Sequence, residues 1–206
     1  MTDEDGVRIG SMMVLVPIDL KRTSDENWHL LAELGRIANS SLDIDEVCDE
    51  IAKHISNLIE FDHLSFHLTG SDEDRLLCSY VHGTDIPLMR SGTRSAPGSL
   101  MEDVVLRETG MIIDLSDGEE PSSQYPEFVS AHRVGLRSML AIPMISMNQT
   151  VGVCIFSSAV PGIYGDDNLI LAQSVADQVS GALSNAQRFA DQIQTEQALR
   201  ENEQRY

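Results

Sequence analysis

Two histidines flank a serine at alternate positions in the run His63-Leu64-Ser65-Phe66-His67-Leu68. Imidazoles can ligate a metal, carry protons or, beside a hydroxyl, activate a nucleophile. Strict alternation marks a strand and puts His63, Ser65 and His67 on one of its faces. At about 3.3 Å per residue the two histidines stand roughly 13 Å apart along the backbone, too far to share an ion. They read as ordinary strand residues, one of them able to face a pocket. His29 and His54 fall on helix faces and read as surface. Cys48, Cys78 and Cys154 are scattered without C-x-x-C spacing, one on an apolar helix stripe and two on strands, where buried thiols are inert. Asp166-Asp167 reads as a helix cap and Glu119-Glu120 as a polar loop. P-loop, G-x-S-x-G and H-E-x-x-H patterns are missing. The chain is therefore expected to have no catalytic residue of its own and no metal site.

A formal charge of -19 repels phosphate backbones, which argues against direct nucleic-acid binding. Sparse, unpaired cysteines and the lack of a secretory signal point to the cytoplasm. The apolar stretch Met12–Ile18 is too short to span a bilayer, so no membrane contact is expected. Lys21 and Lys53 are the only lysines, a bias that fits either a high-salt interior or genome composition. With 42% hydrophobic residues, 206 residues suffice for one domain with its own core plus appendages.

Several elements must position the residues above. Residues 1–24 are acidic, with Gly6, Gly10 and Pro17, and read as a flexible tail. Apolar spacing of three and four predicts a helix over Asp25–Ser40 and a second from Asp43, with a cap from Asp43 and Glu46 and a stripe of Ile44, Val47, Ile51, Ile55 and Leu58. Strands are predicted over His63–Leu68 and Leu76–His82, paired as a hairpin. After a loop over Thr84–Pro97 come a short helix (Ser99–Thr109), a strand (Met111–Leu115) and another short helix (Tyr125–Arg133). Arg137–Met147 and Thr150–Ser158 are apolar on both faces, as in central strands covered on each side, with Asn148-Gln149 joining them. Asp166–Tyr206 reads as one helix, with Val175, Val179, Ala182, Ala186, Phe189 and Ile193 as a coiled-coil seam. The fold class is α+β: an antiparallel sheet, a helical bundle on one face, short helices and loops on the other.

This order of elements resembles the GAF domain of signalling proteins. The resemblance rests on LLAELGRIANSSLDIDEVCDEIA, FDHLSFHLTG, GLRSMLAIPM followed by VGVCIFSS, and YGDDNLILAQSVADQVSGALSNAQRF. It covers about residues 26–192, so the domain is placed at 25–192 with a coiled-coil signalling linker at 193–206. The closing ALRENEQRY resembles a linker into a PAS domain, which implies a longer sensor such as a histidine kinase.

The resemblance implies a non-catalytic module that binds a small molecule between sheet and short helices and signals along the exit helix. Positions carried over from cyclic-nucleotide-binding relatives are Ser65, Val81, His82, Leu100, Met101, Val129, His132 and Leu136, an apolar cavity with a few polar groups. The nucleotide binders' N-K…F-x-x-x-D-E motif is missing; only Tyr164 and Asp167 match its end. His132 stands where some haem-binding members place an axial ligand, with Met101 and Met139 near it. Residues 83–153 contain no cysteine, which sets aside the bilin-binding members and the sulfoxide reductases. The ligand is otherwise unspecified. Homodimerisation is expected through the first and last helices. The expected role is a ligand sensor; the alternatives are a ligand-free dimerisation and transmission spacer, and a haem-based gas or redox sensor.

Overall fold

The computed structural model describes residues 14–15, 44–69, 76–115 and 125–181. Helix α1 (Ile44–Ile55) turns Cys48, Ile51, Ala52 and Ile55 to one buried side, the spacing of an amphipathic helix. The helix expected over Asp25–Ser40 and the cap at Asp43 lie outside the described residues. Strands β2 (His63–Thr69) and β3 (Leu76–Gly83) form the first hairpin. A 3-10 turn (Pro87–Met89), helix α2 (Leu100–Arg107), strand β4 (Met111–Asp114) and helix α3 (Pro126–Arg133) follow. Strands β5 (Ser138–Ser146) and β6 (Gln149–Ser158) then make the central hairpin. Helix α4 is described over residues 166–181.

With a two-residue strand β1 (Val14–Leu15) at its edge, the sheet is antiparallel with strand order β1-β4-β5-β6-β2-β3. That edge strand pairs with β4 and lies inside the segment read as a tail. The two strands expected to be central are inner strands, and β5 is buried over its first seven residues. Their turn is Met147-Asn148, both in the left-handed region (φ 50° and 61°), one residue earlier than expected. That is the primed turn whose twist matches a two-residue hairpin.

Each face of the sheet has its own core. On the first, Leu64, Phe66, Leu140, Ile142, Cys154 and Phe156 meet α1 and α4. On the second, Met111, Ile113, Met139, Ala141, Val153 and Ile155 meet the 3-10 turn, α2 and α3. Val175 and Val179 of α4 correct the expected seam: both are buried in the first core, 0% and 1% exposed. A stripe facing its own sheet has the same spacing as a stripe facing a partner helix. The seam positions from Ala182 onward lie outside the described residues.

Candidate functional site

Strand β2 carries two different faces. Leu64, Phe66 and Leu68 enter the first core, while His63, Ser65 and His67 point to the second. The latter three pair in register with Ser157, Ile155 and Val153 of β6, and Ile155 and Val153 belong to the second core. All three polar residues are buried. Their backbone separation is misleading, because both rings lean towards the serine. His63 Nε2 lies 3.1 Å and His67 Nε2 3.0 Å from Ser65 Oγ. The ring tips are thus no more than roughly 6 Å apart and linked through the serine hydroxyl, nearer than their backbone spacing, and both rings face the same layer.

The row has a direction. His63 Nδ1 is 2.7 Å from the carbonyl of Thr84, which can only accept, so Nδ1 carries the hydrogen. In the neutral ring Nε2 is then bare and accepts the Ser65 hydroxyl proton. Ser65 Oγ in turn accepts from Nε2–H of His67, whose Nδ1 is left as an acceptor. Burial holds both rings neutral: it lowers the pKa of His63, and that of His67 falls to about 3 through burial and then the neighbouring His63. Gly83 makes the contact with Thr84 possible. It pairs with His63 at φ +88°, and a Cβ there would sit 2.1 Å from the Asp62 carbonyl.

Two helices cover this face. Ser99 caps α2 by accepting from the amide of Glu102, and Leu100, Met101 and Val104 point inward. Helix α3 buries Glu127, Phe128 and Ala131. The two are tied together twice: Tyr125 donates to the Asp103 carboxylate, and Glu127 accepts from the amide of Leu100. The layer is tightly closed, with Ser65, Leu100 and Met139 at 0% and Met101 and Leu136 at 1% exposure.

The expected site residues separate as follows. Ser65, Leu100, Met101 and Leu136 come together in this layer, and Val81, half-buried, stands opposite Ser65 on the same face. Val129 and His132 sit on the half-buried flank of α3. His82 does not join them. It pairs with Leu64, is exposed and packs edge-on against Phe61, because one step along a strand reverses the face. A haem needs an open slot beside its axial ligand; under α3 the space is filled by Phe128, Ala131, Leu136 and Met139, so the residues present do not fit that group. The thiol of Cys78 donates to Met89 O and is pushed up to about 12 by burial, and burial raises Cys154 as well, so neither is a nucleophile. Among the described residues, no group of three or more His, Cys, Asp or Glu could hold a metal ion.

Sequence reasoning missed Ser157 and Glu127. Each is buried and leaves one side-chain oxygen, Oγ and Oε2, without a hydrogen-bond partner. Ser157 becomes visible only through its register with His63, and Glu127 only once α3 lies on the sheet.

The architecture matches a known family model, described as GAF domain, over residues 43–183. The chain belongs to the GAF domain family. It is 24% identical to a formate hydrogenlyase transcriptional activator of Salmonella typhimurium over 179 residues, 85% of this chain but 26% of that protein. The chain thus spans about a quarter of that relative's length. Its fold is shared with the GAF domain of a two-component sensor histidine kinase from Bacillus halodurans, at TM-score 0.63 and 20% identity, covering 73% of this chain and 99% of the other. It is shared also with free methionine-R-sulfoxide reductase from Neisseria meningitidis, solved with its substrate, at TM-score 0.60 and 14% identity, covering 82% and 96%. The GAF family is a regulatory and sensory one, and the relatives include signalling proteins. Among the described residues, no helix is long and apolar enough to cross a membrane.

Proposed function

We propose that this GAF domain is the sensory part of a longer cytoplasmic signalling protein, and that it binds a small polar molecule between the sheet and helices α2 and α3. One observation carries the reading: a hydrogen-bonded row of His63, Ser65 and His67 sits inside a largely apolar layer, beside a Ser157 hydroxyl with no partner. Burying polar groups costs stability and gives a passive core nothing that apolar side chains would not supply better. In this reading Ser65, Val81, Leu100, Met101 and Leu136 line the site, and Val129 and His132 edge it. Binding loosens the ties between α2 and α3, and the change passes through the sheet to α4 and on to a homodimeric exit helix. The domain is placed at residues 25–192, with Val14–Leu15 of the preceding segment supplying an edge strand and a linker at 193–206. A PAS domain, a histidine kinase or a transcriptional activator's effector module is the kind of output that fits beyond it.

The closed layer favours a second reading, in which the domain is a ligand-free dimerisation and transmission spacer. The two readings part in a native mass spectrum of the purified protein, followed by thermal shift against a metabolite panel. A retained mass, or a metabolite that raises Tm by several degrees, is the expected result. A clean apo protein that no metabolite stabilises leaves the spacer.

A further inference from the structure

Glu127 is placed where a carboxylate is costly. It stands on the inward side of α3, 3% exposed, beside Phe128 and Ala131. Its position is tied by the Leu100 amide at the start of α2, while Oε2 is buried with no partner at all. Among the described residues the side-chain ion pairs are Arg90–Asp85 and Arg107–Asp103, and neither supplies a cation to Glu127. Ionised, this carboxylate lacks a counter-charge; protonated, its hydroxyl lacks an acceptor. A buried polar atom left so costs about 1–3 kcal/mol, more when charged, and calls for an occupant.

The direction of the histidine row leaves His67 Nδ1 as an acceptor too, and Ser157 Oγ, buried without a partner, can accept as well as donate. Among the described residues no Lys or Arg is buried. A guest that meets Glu127 Oε2 and His67 Nδ1 donates hydrogen bonds to both, and one that balances the carboxylate brings positive charge.

We propose that Glu127 is the anchor of the ligand site, and that its free oxygen takes the protonated amine of a small molecule. The inference rests on the sensory reading above and names its ligand class. An ammonium at Oε2 restores charge balance through a charge-assisted hydrogen bond, the strong kind. It does so at the junction of α2 and α3, so occupancy bears directly on the helices that cover the sheet. Entry requires α3 to lift, since the layer is closed.

The test uses the full chain with methylammonium, ethanolamine and putrescine as probes, at matched ionic strength, read by thermal shift and by the side-chain carboxyl carbon of Glu127 in NMR. At least one amine is expected to raise Tm and move the Glu127 carboxyl signal, whereas acetate and sodium chloride do neither. Glu127→Gln keeps an acceptor for the Leu100 amide and should weaken amine binding about tenfold or more, with the fold checked by circular dichroism. If that variant unfolds, the carboxyl signal of the wild type decides alone. An unmoved Glu127 signal under saturating amine overturns the proposal, as does amine binding that survives Glu127→Gln unchanged. Stabilisation by an acidic or neutral metabolite alone overturns this inference while sensing stands; no stabilisation by any molecule overturns both.

Discussion

The two faces of the sheet are built from the same strands and do different work. On the first face, β2 presents Leu64, Phe66 and Leu68 to α1 and α4, and the layer is mostly apolar, its polar groups being thiols, the Tyr80 and Tyr164 hydroxyls at its border and Gln173 and Ser180 on α4. On the second, β2 presents two imidazoles and a hydroxyl, and the cover consists of short helices joined by a few polar ties. The difference teaches that one strand can serve an apolar layer on one side and a hydrogen-bonded polar row on the other. The first face holds the molecule together through area removed from water. The second carries a polar row on the sheet itself and two unpartnered oxygens, against one on the first, Gln173 Oε1 of α4, among the described residues.

The largest effect should come from the first face. Phe66 is 1% exposed and stacks on Tyr80 at 5.6 Å. Phe66→Ala should cost about 3–5 kcal/mol in urea unfolding; a loss near that of an average surface change would break the division of labour between the faces.

Next is the response of the second face to acid. Burial puts the folded pKa of His63 and His67 below that of the unfolded chain, where histidine titrates near 6.5. The unfolded chain therefore takes up protons first, so stability is full above pH 6.5 and falls as the pH drops towards 3. The slope from His67 reaches about 1.4 kcal/mol per pH unit, and His63 adds to it in the same direction. His67→Gln should flatten the curve by that amount across this window; parallel curves for variant and wild type would mean that His67 titrates freely.

Smaller again is the tie between the covering helices. Tyr125→Phe leaves Asp103 with Arg107 alone and should cost about 1–2 kcal/mol. Amide exchange should speed up in α2 and α3 and stay unchanged in β5 and β6. Acceleration across the central strands would show one cooperative unit instead of a fixed face and a movable one.

The smallest change is expected at Ser157→Ala. Removing a buried hydroxyl without a partner should shift stability by about 1 kcal/mol at most, in the stabilising direction. A clear destabilisation in the denaturation midpoint would reveal a partner for that oxygen and weaken the contrast between the faces.

The sequence by itself determined most of the described elements and their order, though not β1, which lies in a segment read as a tail. Period-two runs such as His63–Leu68 and doubly apolar runs such as Ser138–Ser146 follow from how side chains alternate on a pleated strand, and Ser99 and Pro126 mark helix starts by local capping and backbone geometry. That His63, Ser65 and His67 share a face was legible for the same reason. Tertiary structure alone decided what those faces meet. Val175 and Val179 have a spacing that serves a sheet and a partner helix equally, and only the packing of α4 assigns them to the first core. Val81 and His82, expected on one site together, are parted, because adjacent residues of β3 point to opposite faces and its register on β2 turns Val81 to the second. The Thr84 carbonyl, the hydroxyl of Ser157 and the carboxylate of Glu127 reach the layer from distant segments. Local pattern carries the period of a chain, whereas hydrogen-bond partners and buried charge depend on which distant atoms arrive, and that is fixed only when the sheet and its covering helices pack.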